Sequence, residues 1–215
     1  MLRHVLFAVL IGGFTATALA DADISKVNGS IRVEAGQSAR DLSTVNGSIR
    51  VGESARIVDA STVNGSIEIE AGTSMRSAGT VNGRVSLGAR VQVERDVETV
   101  NGGVNLREGA VVNGKVATVN GTIRLETARV GGGIETVSGD IEIGAGSRVE
   151  GGIVVEKISG WQLNAPRTPR VVIGPRAVVE GTLDFRREVE LFVSDSAQIG
   201  EVKGATAVRF AGDKP

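Results

Sequence analysis

The segment Thr44-Val45-Asn46-Gly47-Ser48-Ile49 returns eighteen positions later as Thr62-Val63-Asn64-Gly65-Ser66-Ile67. Six copies of its Val-Asn-Gly triplet recur at spacings of eighteen or nineteen positions, and a seventh, Val137-Ser138-Gly139, follows the sixth after eighteen more. The asparagines of the six copies are Asn28, Asn46, Asn64, Asn82, Asn101 and Asn120. A fixed period of about twenty residues is typical of a solenoid, in which each repeat stacks on the one before it. The chain is therefore predicted to be a repeat array.

A finer period of six residues runs inside each repeat. Its members are Val27, Val33, Ala39, Val45, Val51, Ile57, Val63, Ile69, Met75, Val81, Leu87 and Val93. A second small or apolar set precedes many of them by two positions: Ile49, Ala55, Ser61, Ile67, Val85 and Val91. We expect both sets to point inward from short strands that turn a corner every six residues.

Three such strands make one triangular coil, whose length matches the spacing of the Val-Asn-Gly triplets. The predicted fold is all-β, a single-stranded β-helix of about ten coils of 18–19 residues, each rising by ~4.8 Å to give a rod of ~50 Å. The seven-residue gaps from Val93 to Val100 and from Val112 to Val119 indicate a bulge at a corner. Because Asn-Gly is also a strong hairpin signal, a sandwich of hairpins is the rival fold. The flanking runs of only four to six residues favour the solenoid.

In a solenoid the six asparagines fall in one column. Stacked side-chain amides can hydrogen-bond to the copies above and below, as they do in cross-β assemblies. Asparagine also tolerates a left-handed corner, where the following glycine is free of strain. We interpret the column as a structural ladder. A ligand-binding stripe of amides is the alternative.

Residues 1–20 have the layout of a cleaved secretory signal peptide. A short basic start precedes the uncharged run from Val5 to Ala20, and Ala18-Leu19-Ala20 supplies small residues for cleavage. A retained membrane anchor is the alternative, but the sixteen-residue run is shorter than the ~20 residues of a spanning helix. We expect a β-helix domain over 21–205, with a loop excursion at 159–170, and a C-terminal tail over 206–215. The predicted location is the periplasm or the cell surface.

Two families share these motifs. The Thr-Val-Asn-Gly-Ser-Ile and Val-Ser-Gly-Asp-Ile units between Val27 and Glu142 resemble the adhesin domain of many bacterial exported proteins. The stretches from Ile143 to Ile153 and from Ile173 to Leu183 are similar to the core of bactofilins. The second resemblance implies a triangular β-helix that polymerises end to end. Bactofilins generally act in the cytoplasm, whereas this chain begins with a predicted export signal.

The composition argues against catalysis and against binding of nucleic acids or membranes. Loss of residues 1–20 removes Arg3 and the only histidine, His4, leaving 23 basic and 25 acidic residues and no cysteine or tyrosine. A net charge of −2 gives no electrostatic reason to expect nucleic acid or an anionic membrane as partner. Hexapeptide-repeat acyltransferases share the six-residue period and use a histidine as general base, but the predicted mature chain has no histidine. The acidic residues Asp41, Asp59, Asp96 and Glu98 belong to different coils. We expect no catalytic residues, no cofactor and no metal site.

Two segments near the C-terminus are candidates for interaction. The excursion at 159–170 contains two prolines and the only tryptophan, and irregular loops on regular scaffolds often carry recognition. Its candidate recognition residues are Trp161, Asn164, Arg167 and Arg170; covering a corner is the alternative role for Trp161. The candidate cap or assembly residues are Phe185, Phe192 and Phe210, because a β-helix end must be capped or paired.

The sequence therefore predicts an exported, non-enzymatic structural or adhesin-like β-solenoid of the bacterial cell envelope. The expected interactions are self-association end to end and binding to a cell-envelope or polysaccharide partner. A bactofilin-like filament scaffold is the first alternative. A carbohydrate-binding or carbohydrate-active β-helix is the second.

Overall fold

The protein is a parallel β-solenoid. The computed structural model describes residues 22–158 and 167–215, and in these ranges it contains strands and no helix. The strands form three parallel sheets, two of ten strands and one of seven, and each coil contributes to the sheets in turn. The predicted all-β solenoid of about ten coils is confirmed. We number the strands in chain order and name the sheets A, B and C.

Sheet A contains the strands that lead into the Val-Asn-Gly corners. Equivalent residues of successive coils pair directly, so that Leu42 lies beside Ala60 and Asn46 beside Asn64. Its strands are β1 (Ile24–Asn28), β3 (Asp41–Asn46), β5 (Asp59–Asn64), β8 (Ser77–Asn82), β11 (Val97–Asn101), β14 (Val116–Asn120), β17 (Ile134–Thr136), β20 (Ile153–Val155), β23 (Leu183–Phe185) and β26 (Val202–Lys203).

Sheet B follows each of these corners. Its short strands alternate between buried and exposed or half-buried residues, as in Ile49-Arg50-Val51. Its strands are β2 (Ile31–Val33), β4 (Ile49–Val51), β6 (Ile67–Ile69), β9 (Val85–Leu87), β12 (Val104–Leu106), β15 (Ile123–Leu125), β18 (Ile141–Ile143), β21 (Arg170–Ile173), β24 (Glu190–Ser194) and β27 (Ala207–Phe210). Because β27 pairs with β24, the solenoid continues beyond the boundary predicted at residue 205.

Sheet C closes the triangle with two-residue strands. In the first coils it is reduced to isolated bridges from Ser38 to Arg56 and from Arg56 to Ser74. Its strands are β7 (Ser74–Met75), β10 (Gln92–Val93), β13 (Val111–Val112), β16 (Arg129–Val130), β19 (Arg148–Val149), β22 (Val178–Val179) and β25 (Gln198–Ile199).

One continuous aliphatic core fills the triangle from Ile31 to Ala197. Most of the predicted inward positions are buried, including Val51, Met75 and Leu87. Each coil contributes inward residues from all three sheets, so each buries its apolar face only against its neighbours. Stability is therefore distributed along the stack.

The register predicted for sheet A was wrong by one residue. Val45 and Val63 were expected inside but are 41% and 40% exposed, whereas Thr44 and Thr62 are buried. Ser61, also expected inside, is exposed. The cause is the corner between sheets C and A, which is shorter than the hexad pattern requires. Because side chains alternate along a strand, a one-residue shift exchanges the two faces of the sheet.

The two nineteen-residue spacings have the predicted cause. The chain passes from buried Met75 to buried Ala78 in three residues, but from Val93 to Val97 in four. The extra residue lies at the corner between sheets C and A, and Val97 still pairs with Ala78. Residues 112–114, another Val-Asn-Gly, begin the next such corner and therefore lie out of phase with the six repeats.

The corner between sheets B and C contains a left-handed residue in eight successive coils. One residue per coil has a positive φ, and glycine alternates there with other residues: Gly36, Ser54, Gly72, Arg90, Gly109, Thr127, Gly146 and Arg176. Where Ser54 and Arg90 take this conformation, glycine stands two residues earlier, at Gly52 and Gly88. A Cβ on Gly52 would lie 2.6 Å from the Ala35 nitrogen. Adjacent corners therefore share a left-handed residue, and in the first coils they differ in where glycine stands.

Candidate functional site

Buried threonines anchor the Thr-Val-Asn-Gly corners. Each side chain points into the core at 6% exposure or less. Each hydroxyl donates a hydrogen bond to the glycine carbonyl of the preceding coil, over 3.1 Å from Thr44 to Gly29, 2.9 Å from Thr62 to Gly47 and 3.0 Å from Thr80 to Gly65. Thr99 and Thr118 repeat the contact. At the corner the glycine carbonyl no longer points along the backbone hydrogen bonds of the sheet, and the threonine hydroxyl provides its donor.

Close approach of the neighbouring coil requires glycine at most of these corners, whereas a Cβ on Gly29 would come no nearer than 3.9 Å to another atom of the described residues, and Gly29 has a φ of 112°. A Cβ on Gly65 would lie 2.0 Å from the Gly47 oxygen, and one on Gly83 would lie 1.9 Å from the Gly65 oxygen. None of the six asparagines has a positive φ. The left-handed conformation predicted for the asparagines was therefore wrong, although the following glycine has a positive φ at Gly29 and Gly121. The backbone of one coil simply lies too close to the next for any side chain.

The six asparagines stand in a single hydrogen-bonded column, the amide ladder. Each Nδ2 donates to the Oδ1 of the preceding coil, at 3.0 Å from Asn46 to Asn28, 2.9 Å from Asn64 to Asn46 and 3.0 Å from Asn120 to Asn101. The side chains are exposed. Each inner amide keeps one N–H and one oxygen lone pair free toward solvent, and all the dipoles point the same way.

Beside the amide ladder runs an exposed apolar column, which we call the valine stripe: Val27, Val45, Val63, Val81, Val100 and Val119. These side chains are 37–68% exposed. In the described residues the only other large hydrophobic side chain that is exposed is Val208. The stripe therefore collects nearly all the exposed aliphatic surface on one side of the rod.

The outward positions of the other two faces differ from the valine stripe. On sheet B they carry Arg50 and Arg124, which form ion pairs with Glu68 and Glu142 of the next coil. On sheet C, Arg129 pairs with Glu150 at 2.7 Å. Exposed pairs of this kind contribute little to stability but keep a surface solvated. In the described residues the valine stripe is the longest outward apolar column, and sheet B has a shorter one over its last three coils, with Val172, Phe192 and Val208.

A shallow groove of about 570 Å³ runs beside the stripe over the first coils of sheet A. Asp41 and Asp59 lie side by side there, and Asp96 and Glu98 border the same groove. The stacking has thus brought together carboxylates that the sequence places in separate coils. Asp59 forms an ion pair with Arg76 and accepts a 2.7 Å hydrogen bond from Ser77, whereas one oxygen of Asp41 is buried and has no partner among the described residues.

Two of these acidic side chains are held by specific donors. The Arg76 guanidinium, with the Ser77 hydroxyl, holds the pKa of Asp59 below its ordinary value against the opposing effect of burial. Asp96 accepts a 2.8 Å hydrogen bond from the Lys115 backbone. In the described residues no group of three or more potential metal-binding side chains comes together.

The three phenylalanines have separate positions. Phe185 is a core residue of sheet A, 3% exposed. Phe192 points outward from sheet B, where the Arg170 guanidinium lies 4.8 Å from its ring centroid, a cation–π contact. Phe210 is half-buried beside Ser194. The alternation of β24 turns Phe192 away from the core that holds Phe185, and the cap or assembly role of the three phenylalanines stays a prediction.

Both ends of the solenoid place a cation at an inward position. Lys26 pairs with the buried Thr44 but is itself exposed, and its Nζ donates to the Ser30 carbonyl at 2.7 Å. Arg209 pairs with the buried Val193, and it too is exposed, donating to the Ser194 carbonyl at 3.1 Å. Inward-pointing charges protect an exposed sheet edge from pairing with another molecule.

Of the four candidate recognition residues, Trp161 and Asn164 lie outside the described residues. Arg167 forms a 2.8 Å ion pair with Asp140, and Arg170 stacks on Phe192. Arg187 donates to the carbonyls of Val137 and Arg167. These contacts fasten the C-terminal base of the excursion to the seventh repeat.

Sequence reasoning missed the valine stripe, although the Thr-Val alternation contained the necessary signal. In the described ranges no helix is long and apolar enough to cross a membrane. Comparisons of the chain with protein-family models, with curated proteins and with solved structures gave no match. The surfaces of the solenoid itself therefore carry the indications of function.

Proposed function

We propose that the protein is an exported, non-enzymatic structural or adhesin-like solenoid of the cell envelope, and that it acts through its long lateral face. The observation that carries this proposal is the valine stripe beside the amide ladder. Five of its six side chains are between 37% and 41% exposed, a nearly uniform surface along successive coils. Contiguous apolar surface on a soluble protein usually marks an interaction site. Export rests on the predicted signal peptide, which lies outside the described residues.

The form of this surface suits an extended partner. The columns repeat at the strand spacing of ~4.8 Å, so the six coils of the stripe offer a track of ~29 Å. Valine contributes apolar contact, and each inner amide contributes a free donor and acceptor beside it. Such a track can hold a polymer or a protein surface by many weak, repeated contacts. The rigid stack keeps these groups in position before binding.

The test is co-sedimentation of the purified protein with isolated cell-envelope fractions and with insoluble polysaccharides. The wild type should sediment with at least one fraction, and the double variant Val63→Lys/Val81→Lys should not. The matched control is Ser74→Lys/Gln92→Lys, which places the same charges on sheet C. Equal retention of both double variants would remove the lateral face from the proposal. Turnover on an unbiased substrate panel would remove the non-enzymatic role.

The bactofilin-like filament stays a prediction. In the part of the chain that the structure describes, β25, β26 and β27 are the last strands of their sheets and one edge of each is unpaired, which favours stacking of a second copy. End-to-end stacking would, however, bury Arg209 against the first coil of the next copy, and burial of an unpaired charge is costly. The carbohydrate-active alternative also stays a prediction.

A further inference from the structure

We propose that the valine stripe is a self-association surface, on which a second copy of the chain packs face to face and antiparallel. The inference holds independently of the compartment in which the protein acts. It concerns the lateral face of sheet A rather than the ends of the solenoid. It follows from the distribution of exposed apolar groups, from the amide ladder and from the charges around the stripe.

The first step is the contrast between the three faces at matched outward positions. The pairs Arg50–Glu68 and Arg124–Glu142 solvate sheet B. On sheet A six successive coils expose a valine, and the column beside it toward the start of each strand is small over four coils, with Ser25, Ser43, Ser61 and Gly79. Small residues beside valine leave a flat face that another flat face can approach.

The second step is the repeat distance. A surface that repeats at ~4.8 Å is matched by another stack of strands with the same spacing. A second copy presents this spacing automatically, with valine opposite valine. A two-fold axis parallel to the strands, between the coils of Val63 and Val81, brings these two side chains of opposite copies together. The same operation sets Val45 against Val100 and Val27 against Val119. Such a contact is isologous and closed.

The third step fixes the orientation. The five amide hydrogen bonds all run from a later coil to the preceding one, so the ladder has a free N–H end at Asn28 and a free oxygen end at Asn120. Aligned amide dipoles sum along a column, as they do along a helix. Two ladders side by side repel when parallel and attract when antiparallel. The antiparallel arrangement is therefore favoured.

The charges around the stripe support the same orientation on balance. The two-fold axis places Glu98 opposite Ser43 rather than opposite another carboxylate, and it places Lys115 on the side of Asp23 of the other copy. It also brings Asp41 toward Asp96, the one unfavourable pair. These aspartates border the groove at the far side of the face, so water can separate them. The net charge of −1 for the whole chain adds no general repulsion between copies.

The size of the face predicts a weak dimer. Six coils at the strand spacing and five residues along each strand give ~29 Å by ~17 Å, or ~500 Å² per copy. The resulting total of ~1,000 Å² lies at the lower limit for specific association. We therefore expect monomer at low concentration and dimer at high concentration.

Sedimentation equilibrium of the purified protein over a wide concentration range is the first test. The wild type should shift from monomer to dimer, and Val63→Lys/Val81→Lys should weaken association at least about tenfold, because a charge at the centre of an interface is poorly tolerated. The control Ser74→Lys/Gln92→Lys should associate as the wild type does. A wild type that stays monomeric throughout overturns the proposal, as does a dimer that is unaffected by the stripe variant. Circular dichroism checks that both double variants are folded.

Orientation is tested with single cysteines, since the chain has none. In the antiparallel pair, Val45→Cys and Val100→Cys lie opposite each other, so a mixture of the two variants should oxidise to the mixed disulfide. Neither variant alone should cross-link, because its two copies are ~14 Å apart along the stack, beyond disulfide reach. A disulfide between two copies of Val45→Cys overturns the antiparallel arrangement.

Discussion

The buried threonine column allows a quantitative test at Thr80. Its side chain is 6% exposed, and its hydroxyl donates a 3.0 Å hydrogen bond to the Gly65 carbonyl. Thr80→Val keeps the shape of the side chain and removes only the donor. In the described residues the structure gives the Gly65 carbonyl no other hydrogen-bond donor. Leaving a buried acceptor unpaired costs about 1–3 kcal/mol.

The added methyl group offsets part of this loss. One buried carbon group contributes about 0.8 kcal/mol, so Thr80→Val should lower the free energy of unfolding by about 0.2–2 kcal/mol. Thr80→Ser keeps the donor and loses one methyl group, and it should cost about 1 kcal/mol. The measurement is urea unfolding followed by circular dichroism, and the free energy of unfolding is compared between the wild type and the two variants.

Val155 supplies the reverse experiment, because it occupies the same inward column, two coils beyond Thr118. Val155→Thr should be destabilising, since it buries a hydroxyl where the chain has valine. A Thr80→Val variant as stable as the wild type, or more stable, would refute the assignment of the hydroxyl as a structural donor. The buried threonines would then be explained by the shape of the side chain alone, without a role for the hydroxyl.

Three further outcomes follow from named contacts. Asn64→Ala removes two ladder bonds and should cost about 1 kcal/mol, since these amides are exposed, whereas Asn28→Ala removes one; equal shifts in the melting temperature would argue against the ladder. Because the pKa of Asp59 is lowered in the fold, its contribution is complete above the unfolded value near 3.8 and is lost as the pH falls through the folded pKa. The stability difference between the wild type and Asp59→Asn should therefore shrink in acid unfolding below about pH 4; a constant difference would contradict the ion pair with Arg76. Arg209→Val should promote end-to-end assembly visible by negative-stain electron microscopy, and discrete rods of unchanged length would show that the charge does not block the end.

The regular hexads made the architecture predictable, whereas the Thr-Val-Asn corner did not follow from them. Val51 and Leu87 were placed correctly because sheet B alternates simply between inside and outside. Val45 was placed incorrectly because the number of residues in the preceding corner decides which side chains point inward. The spacing of hydrophobic residues in the sequence does not reveal that number. Thr44 is polar and so was not expected in the core, where its hydroxyl finds a carbonyl of the preceding coil.

Side-chain direction limited the prediction at the C-terminal end. The phenylalanines were grouped by their closeness in sequence, but alternation places Phe185 inside and Phe192 outside. The inward cation at Arg209 could be recognised only after its pairing with Val193 was known. The gathering of Asp41 with Asp59 likewise depends on stacking, which makes direct neighbours of residues that are a full coil apart in sequence.

The corner between sheets B and C has a consequence for how this rod can change length. Gly52 and Gly88 admit the backbone of the coil beneath, whereas Glu34 and Glu70 stand at the corresponding positions of the coils between. Further along the rod, Gly144 and Gly174 occupy that position in two adjacent coils, whose strands β18 and β21 still pair in register. Two corners of the same kind can therefore stack directly on each other. The unit of growth that this corner allows is a single coil, and variants that lose or gain one whole coil should keep the stack.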